Sequence, residues 1–322
     1  MKKIEPPVHL GGYGLQDFGY GSAEYASSLT HMGEPLWLPN AEGWLIRRQI
    51  PGSKLWDAIG CYPLFACRYW ERLQFDFSRL SDLVSVAAVV HPLTAEIAGT
   101  TLRSAFPDLL VPYKQHFLVE LQSDWADKVP RNHRRNIRTT LSQLVVQRCG
   151  EPGGELDVWC DLYSFLKRKH EIAGLADFPR ESFARQLRAP GLVMFKASKG
   201  QEAVAMHLWF VQGGTAYYHL GASNSDGYRL RAAFALMWSA LQEFQRIGLQ
   251  WATLGGIPEM PATRQTTGLA RFKEGWATCA RPAYLCGSIL DRSTYTNLTA
   301  KNSSSSFFPA YRTPPATRGL QD

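Results

Sequence analysis

The nonapeptide GLARFKEGW (268–276) sets Lys273 beside Phe272, after the loop-like GGIPEMPATRQTT and before the apolar ATCARPAYLCGSIL. A lysine so placed has two readings. Either it snorkels, with its stem along apolar surface and its ammonium in water, or the ammonium is aimed at a reacting carbonyl. The second reading carries chemistry. Attack on a carbonyl passes through a tetrahedral intermediate whose oxygen turns negative, and a donor or cation preset there is worth roughly 10²–10³ in rate. Phe272 can hold and partly desolvate the ammonium through a cation–π contact of about 0.5–2 kcal/mol.

A second cluster is PRNHRRNIR, in which Arg131, Arg134, Arg135 and Arg138 recur at i, i+3, i+4 and i+7, one face of a helix. Four guanidiniums in a stripe suit bidentate binding of phosphates, whether of tRNA, a nucleotide-linked glycan or a lipid head group. A solvated basic face is the equal alternative. His207 and His219 fall on neighbouring strands. Across a two-residue Gly213-Gly214 turn, His207 comes opposite Leu220, which puts the two histidines on opposite faces. Either can act as a general base, but a satisfied core or surface histidine is the commoner case. Tyr217 and Tyr218 divide the same way, between core and pocket. No Gly-x-Ser-x-Gly, paired-carboxylate or locally supported Cys–His signature marks a nucleophile, so direct attack by a substrate group is the expected route.

The elements that must position these residues follow from periodicity and turn chemistry. Residues 1–43 are irregular, and GGYGLQDFGYGS reads as loop. WLIRRQI (44–50), SVAAVV (85–90) and HFLVEL (116–121) read as strands, and 94–106 as helical. In the second half, 123–144 is mostly helical with a break at Pro130, VVQRC is extended, and two helical stretches follow. Three strands then form a meander, GLVMFKASKG, EAVAMHLWFV and TAYYHLGAS. One long helix (228–247) is expected next, ended by Gly248, before the strand WATLGG. The Ser/Pro-rich tail 292–322 reads as disordered. Strand–helix–strand after an antiparallel meander implies a mixed sheet covered by helices, an α/β or α+β layer fold.

With 322 residues, about two domains are expected. Hydrophobic content of 45% against 20% charged residues suits a globular chain with a sizeable core, and the net charge of +7 favours phosphate-bearing partners. The longest apolar run, LVSVAAVV (83–90), falls far short of the roughly 20 residues of a membrane span. No apolar h-region follows the N-terminal lysines. The six cysteines form no CxxC pair and no zinc spacing. A cytoplasmic location, reduced thiols and no metal site are therefore expected.

The run YYHLGASNSDGYRLRAAFALMWSALQEFQRIGLQWATLGG, followed by GLARFKEGW, resembles the C-terminal half of the Fem peptidoglycan-bridge aminoacyltransferases and the FemAB-like acetyltransferases of the GNAT superfamily found in envelope and exopolysaccharide loci. The shared pattern is a strand ending in Gly-x-Ser, a long helix containing tryptophan, a glycine-ended strand, then Gly-Leu-x-x-Phe-Lys. The match is good over 123–290 and weak over 44–121. It implies tandem GNAT-like modules, 44–122 and 123–291, each a mixed sheet with helices packed on it. It also implies N-acyl transfer, and it gives Phe272 and Lys273 the catalytic role of the family's Phe-Lys pair.

Ordinary GNAT enzymes cradle the pyrophosphate of coenzyme A in an Arg/Gln-x-x-Gly-x-Gly/Ala loop at a helix N-terminus. Here the equivalent turn, SDGYRLRAA (225–233), has one glycine, Gly227, with Arg229 and Arg231 beside it. Acyl-CoA or aminoacyl-tRNA is the expected donor. An amine on an envelope or exopolysaccharide precursor, or on a small metabolite, is the acceptor. Arg134, Arg135, Arg138, Tyr218 and His219 are the candidate contacts to phosphate or substrate. The rival reading is a non-catalytic GNAT-fold module that binds a polyanion or a membrane surface.

Overall fold

Gly213 and Gly214 both take positive φ, 54° and 77°, the pair of left-handed conformations that a two-residue hairpin turn requires and side chains resist. The structure, a computed structural model, describes residues 19–97, 99–172, 174–257, 264–300 and 307–312. Along them run α1 (Ala23–Ser28), β1 (Glu34–Leu38), β2 (Gly43–Gln49), β3 (Trp56–Gly60), α2 (Leu73–Phe77) and β4 (Leu83–Val90). Next come α3 (Pro92–Ile97), α4 (Gly99–Ala105), β5 (Leu109–Glu120), α5 (Trp125–Lys128), α6 (Arg131–Leu141) and β6 (Val145–Arg148). Then follow α7 (Leu156–His170), α8 (Arg180–Gln186), β7 (Leu192–Lys199), β8 (Glu202–Gln212) and β9 (Thr215–Ser223). The chain continues through α9 (Ser225–Arg229), α10 (Ala232–Arg246), β10 (Trp251–Gly256), α11 (Arg264–Glu274), β11 (Cys279–Ile289) and α12 (Arg292–Thr299).

These elements form two compact units, Met1–His31 with Lys114–Pro282, and Met32–Tyr113 with Ala283–Asp322. In the first, β6, β7, β8 and β9 are successive antiparallel neighbours, β9 runs parallel to β10, and β10 pairs antiparallel with β5. In the second, β1, β2 and β3 are antiparallel in turn, β3 runs parallel to β4, and β4 pairs antiparallel with β11. Meander, parallel step and closing antiparallel strand thus occur twice, which makes this a tandem mixed α/β fold. The closing strands are exchanged. The strand after β4 in sequence closes the first unit, and the strand after β10 closes the second. The units are composite where the sequence suggested contiguous spans of 44–122 and 123–291, because strand pairing follows hydrogen-bonding partners rather than chain order.

The first unit packs Trp125, Trp209, Trp276, Phe195, Phe244 and Met237 into one buried core. The second buries Leu38, Leu45, Phe77, Val86 and Phe106. Three local expectations change. The helix expected over 228–247 is two helices, because Arg231 sits in the left-handed region at φ 57°. That conformation costs a side-chain-bearing residue roughly 1–2 kcal/mol, which tertiary bonds offset. The Thr140 hydroxyl donates to the Leu230 carbonyl at 2.9 Å, and Arg231 donates to the Asn136 side chain.

Between 292 and 322, read as a disordered tail, α12 and residues 307–312 have defined places. Arg312 and the Tyr311 hydroxyl both reach the wholly buried Asp57, whose charge needs such partners. At the other end, residues 19–21 form a short turn of 3₁₀ helix and lead into α1, which Ser22 caps by accepting from the Tyr25 amide. The rest of both terminal segments lies outside the described residues.

The third change is register. Past the bulge at His219, His207 pairs with Gly221 instead of Leu220. One extra residue in β9 shifts the partner by one yet keeps the two histidines on opposite faces.

Candidate active site

Parallel strands β9 and β10, joined through α10, pair only over Thr215–Tyr217 against Trp251–Thr253. Beyond that point β9 continues to Ser223, whereas β10 bulges through Gly255, at φ 73°, and sets Gly256 opposite His116 on β5. Two parallel strands that part at their carboxyl ends leave a crevice, the usual ligand position in open α/β sheets.

Lys273 reaches the end of β10. Its ammonium donates to the Gly256 carbonyl at 2.8 Å, and the residue is only 7% exposed. Burial first, then the nearby charge of Lys114, lowers its pKa to about 8. His116 is likewise buried, and desolvation, then the charges of Lys273 and Lys114, push it to about 4. Near neutral pH the cluster is therefore cationic, with a neutral imidazole beside a mostly protonated ammonium. Neither Lys114 nor His116 is legible as a site residue in the sequence, because β5 is remote in the chain and meets β10 through the exchanged pairing.

Phe272 holds the lysine's helix rather than its charge. Consecutive helical residues diverge by about 100°. The Phe272 ring stacks at 23° on His133 of α6 and meets Phe234 of α10 and Trp276. No cation–π contact joins it to Lys273 among the described residues. His133, buried and with its pKa lowered by desolvation, donates from Nε2 to the Phe272 carbonyl at 3.2 Å. A Cβ on Gly275 would come within 2.3 Å of that nitrogen, so the glycine lets the imidazole approach. Sequence reasoning passed over His133 because it lies within the arginine run.

The expected donor loop is partly committed elsewhere. The Gly227 amide donates to the Asn224 side chain at 2.9 Å, and a Cβ there would lie 2.2 Å from the Val204 carbonyl oxygen. Gly227 thus serves the close packing of α9 on β8. Gly227→Ala should cost about 1–3 kcal/mol through the forced backbone shift and lower the melting temperature of the ligand-free protein by several degrees. An unchanged melt would return the glycine to a ligand-cradling role. Exposed Arg229 pairs with Asp226 at 2.9 Å, and Arg231 is tied to Asn136.

Tyr218 and His219 point to opposite faces. Tyr218 packs against His207 and Trp209, on the α10 side, with its ring centroid 4.9 Å from His207. Burial raises its pKa. His219 lies between the Tyr20 hydroxyl at 3.2 Å and the Gln186 side chain at 3.1 Å, amid Tyr25 and Phe210. Desolvation lowers its pKa to about 3. It is a satisfied core histidine. Tyr217 is also desolvated, with its pKa up to about 12 and its ring 5.7 Å from Tyr20. All four arginines of the stripe are exposed, but Arg134 turns back to donate to the Val129 and Asp127 carbonyls.

Residues 128–274 match the family model described as the acetyltransferase (GNAT) domain. No curated protein matches the sequence. Among solved structures, FemX superposes with a TM-score of 0.64 at 10% identity, covering 91% of this chain and 95% of that one. The C-terminal domain (DUF2156) of a putative lysylphosphatidylglycerol synthetase from Agrobacterium fabrum gives 0.55 at 13% identity, over 88% and 91%. L-PGS from Bacillus licheniformis gives 0.52 at 12% identity, over 88% and 96%. At such identities the likeness is one of fold. The chain carries a GNAT acetyltransferase domain within a FemX-like tandem fold, and it is an N-acyltransferase.

Proposed function

We propose that this protein moves an acyl group from acyl-CoA to an amine on an envelope or exopolysaccharide precursor, in the cytoplasm, at the crevice where β9 and β10 part. The observation that carries this reading is the buried ammonium of Lys273 at the carboxyl end of β10. The acceptor amine attacks the thioester carbonyl, and a C–N bond forms while the oxygen becomes negative. Lys273 stabilises that oxyanion. The C–S bond then breaks, and the proton lost by the amine ends on the departing thiolate. Phe272 positions Lys273 through the aromatic contacts of α11.

The donor's phosphates meet the N-terminus of α10, a 15-residue helix whose first amides have no partner within the helix. Arg229 and Arg231 flank it. Acyl-CoA is favoured over aminoacyl-tRNA by the match to an acetyltransferase domain. Calorimetry with coenzyme A and with bulk charged tRNA tests this choice, and saturable tRNA binding without coenzyme A binding would reverse it.

A pH profile tests the lysine's part. Its pKa near 8 means the ammonium is lost as pH rises through that value. Amine attack needs a deprotonated acceptor and strengthens with pH, so turnover should rise and then fall on a limb near pH 8. A profile with no falling limb between pH 7 and 10 would separate Lys273 from the chemical step.

A further inference from the structure

The arginines of α6 rim a groove against α10. Ile137, Leu141 and Trp238 supply apolar lining, Arg131, Arg135 and Arg138 the charge, and the groove measures about 880 Å³. These three arginines make no ion pair or hydrogen bond among the described residues. Exposed arginines elsewhere in the same unit do: Arg180 pairs with Asp157, Arg229 with Asp226 and Arg246 with Glu243. Helix α6 contains no acidic residue, and its first turn carries arginine where the helix dipole favours negative charge. The helix start is thus disfavoured, although Arg138 in the last turn suits the dipole, and three guanidiniums are left without counter-charge. A ligand supplying anions would relieve both.

We infer that this face docks on the surface of an anionic phospholipid bilayer, with the guanidiniums on lipid phosphates and the exposed Leu141 side chain entering the interface. The exposed apolar side chain favours lipid over nucleic acid. Leu141, at the groove, is 43% exposed. Aliphatic side chains gain by entering the headgroup–acyl boundary but give bases no platform to stack on. Trp238 suits the same interface. No helix among the described residues is long and apolar enough to cross a membrane, so the docking is peripheral. It is independent of the reaction assigned to Lys273.

The test is co-sedimentation of the full chain with phosphatidylcholine vesicles with and without phosphatidylglycerol. Binding should require phosphatidylglycerol and weaken with salt. The triple change Arg131→Gln, Arg135→Gln, Arg138→Gln should reduce it on the order of a hundredfold, at about fivefold per arginine. It should leave the melting temperature nearly unchanged, since none of the three makes an ion pair or hydrogen bond among the described residues and the gain at Arg131, in the first turn of α6, is offset at Arg138, in the last. Leu141→Ser alone should weaken the binding that persists at high salt. A control of equal charge, Lys54→Gln with Arg79→Gln and Arg103→Gln, removes exposed cations of the second unit and should leave binding intact. Equal loss in the control would reduce the effect to net charge and overturn the assignment. Absence of vesicle binding would overturn it too, as would arginine-dependent binding of a single-stranded oligonucleotide in its place.

Discussion

Lys273→Met is expected to lower turnover by about 10²–10³-fold, the loss that follows removal of one preset oxyanion donor. Methionine keeps most of the stem and fills the buried position, so the packing of α11 should persist. Burial works in the same direction. The folded pKa, about 8, lies below the ordinary lysine value of 10.5. The unfolded chain therefore holds the proton more tightly, and this group's contribution to stability rises between those two values. Below pH 8 the buried ammonium is a stability cost that the methionine variant lacks. A thermal melt thus distinguishes lost chemistry from a lost fold. If the variant melts like the wild type and turns over like it, the lysine has no part in the chemical step and only bonds the Gly256 carbonyl.

Asp57→Ala should destabilise the second unit by about 3–5 kcal/mol. Its carboxylate is fully buried and faces Arg48 Nε at 3.2 Å, Arg312 Nη2 at 2.9 Å and the Tyr311 hydroxyl at 3.2 Å. Removing it leaves two largely buried guanidiniums facing each other without a counter-charge. It also frees residues 307–312, so limited proteolysis after Arg312 should accelerate. Urea unfolding followed by a probe in the second unit measures the loss. A change below about 1 kcal/mol would mean that Asp57 holds residues 307–312 only nominally, as an exposed ion pair does.

What the sequence determined by itself was local. The Gly213-Gly214 turn, the three strand runs of β7 to β9, the arginine period of α6 and the glycine stop at Gly248 were legible, because each reports a backbone preference or a period within a few residues. The order of elements around Lys273, with its family resemblance, was enough to predict mixed α/β modules and acyl transfer. Only the tertiary structure decided what meets what. Exchange of β5 and β11 brings His116 and Lys114 to Lys273, yet nothing in HFLVEL announces a partner so remote in sequence. The left-handed Arg231 depends on α6, because Thr140 and Asn136 offset a cost that helix propensity alone would avoid. His219 joins the core because one bulge residue absorbs the register shift and its ring finds Tyr20 and Gln186. Local preference is encoded residue by residue, whereas long-range pairing and the burial of charge depend on partners that only the folded chain supplies.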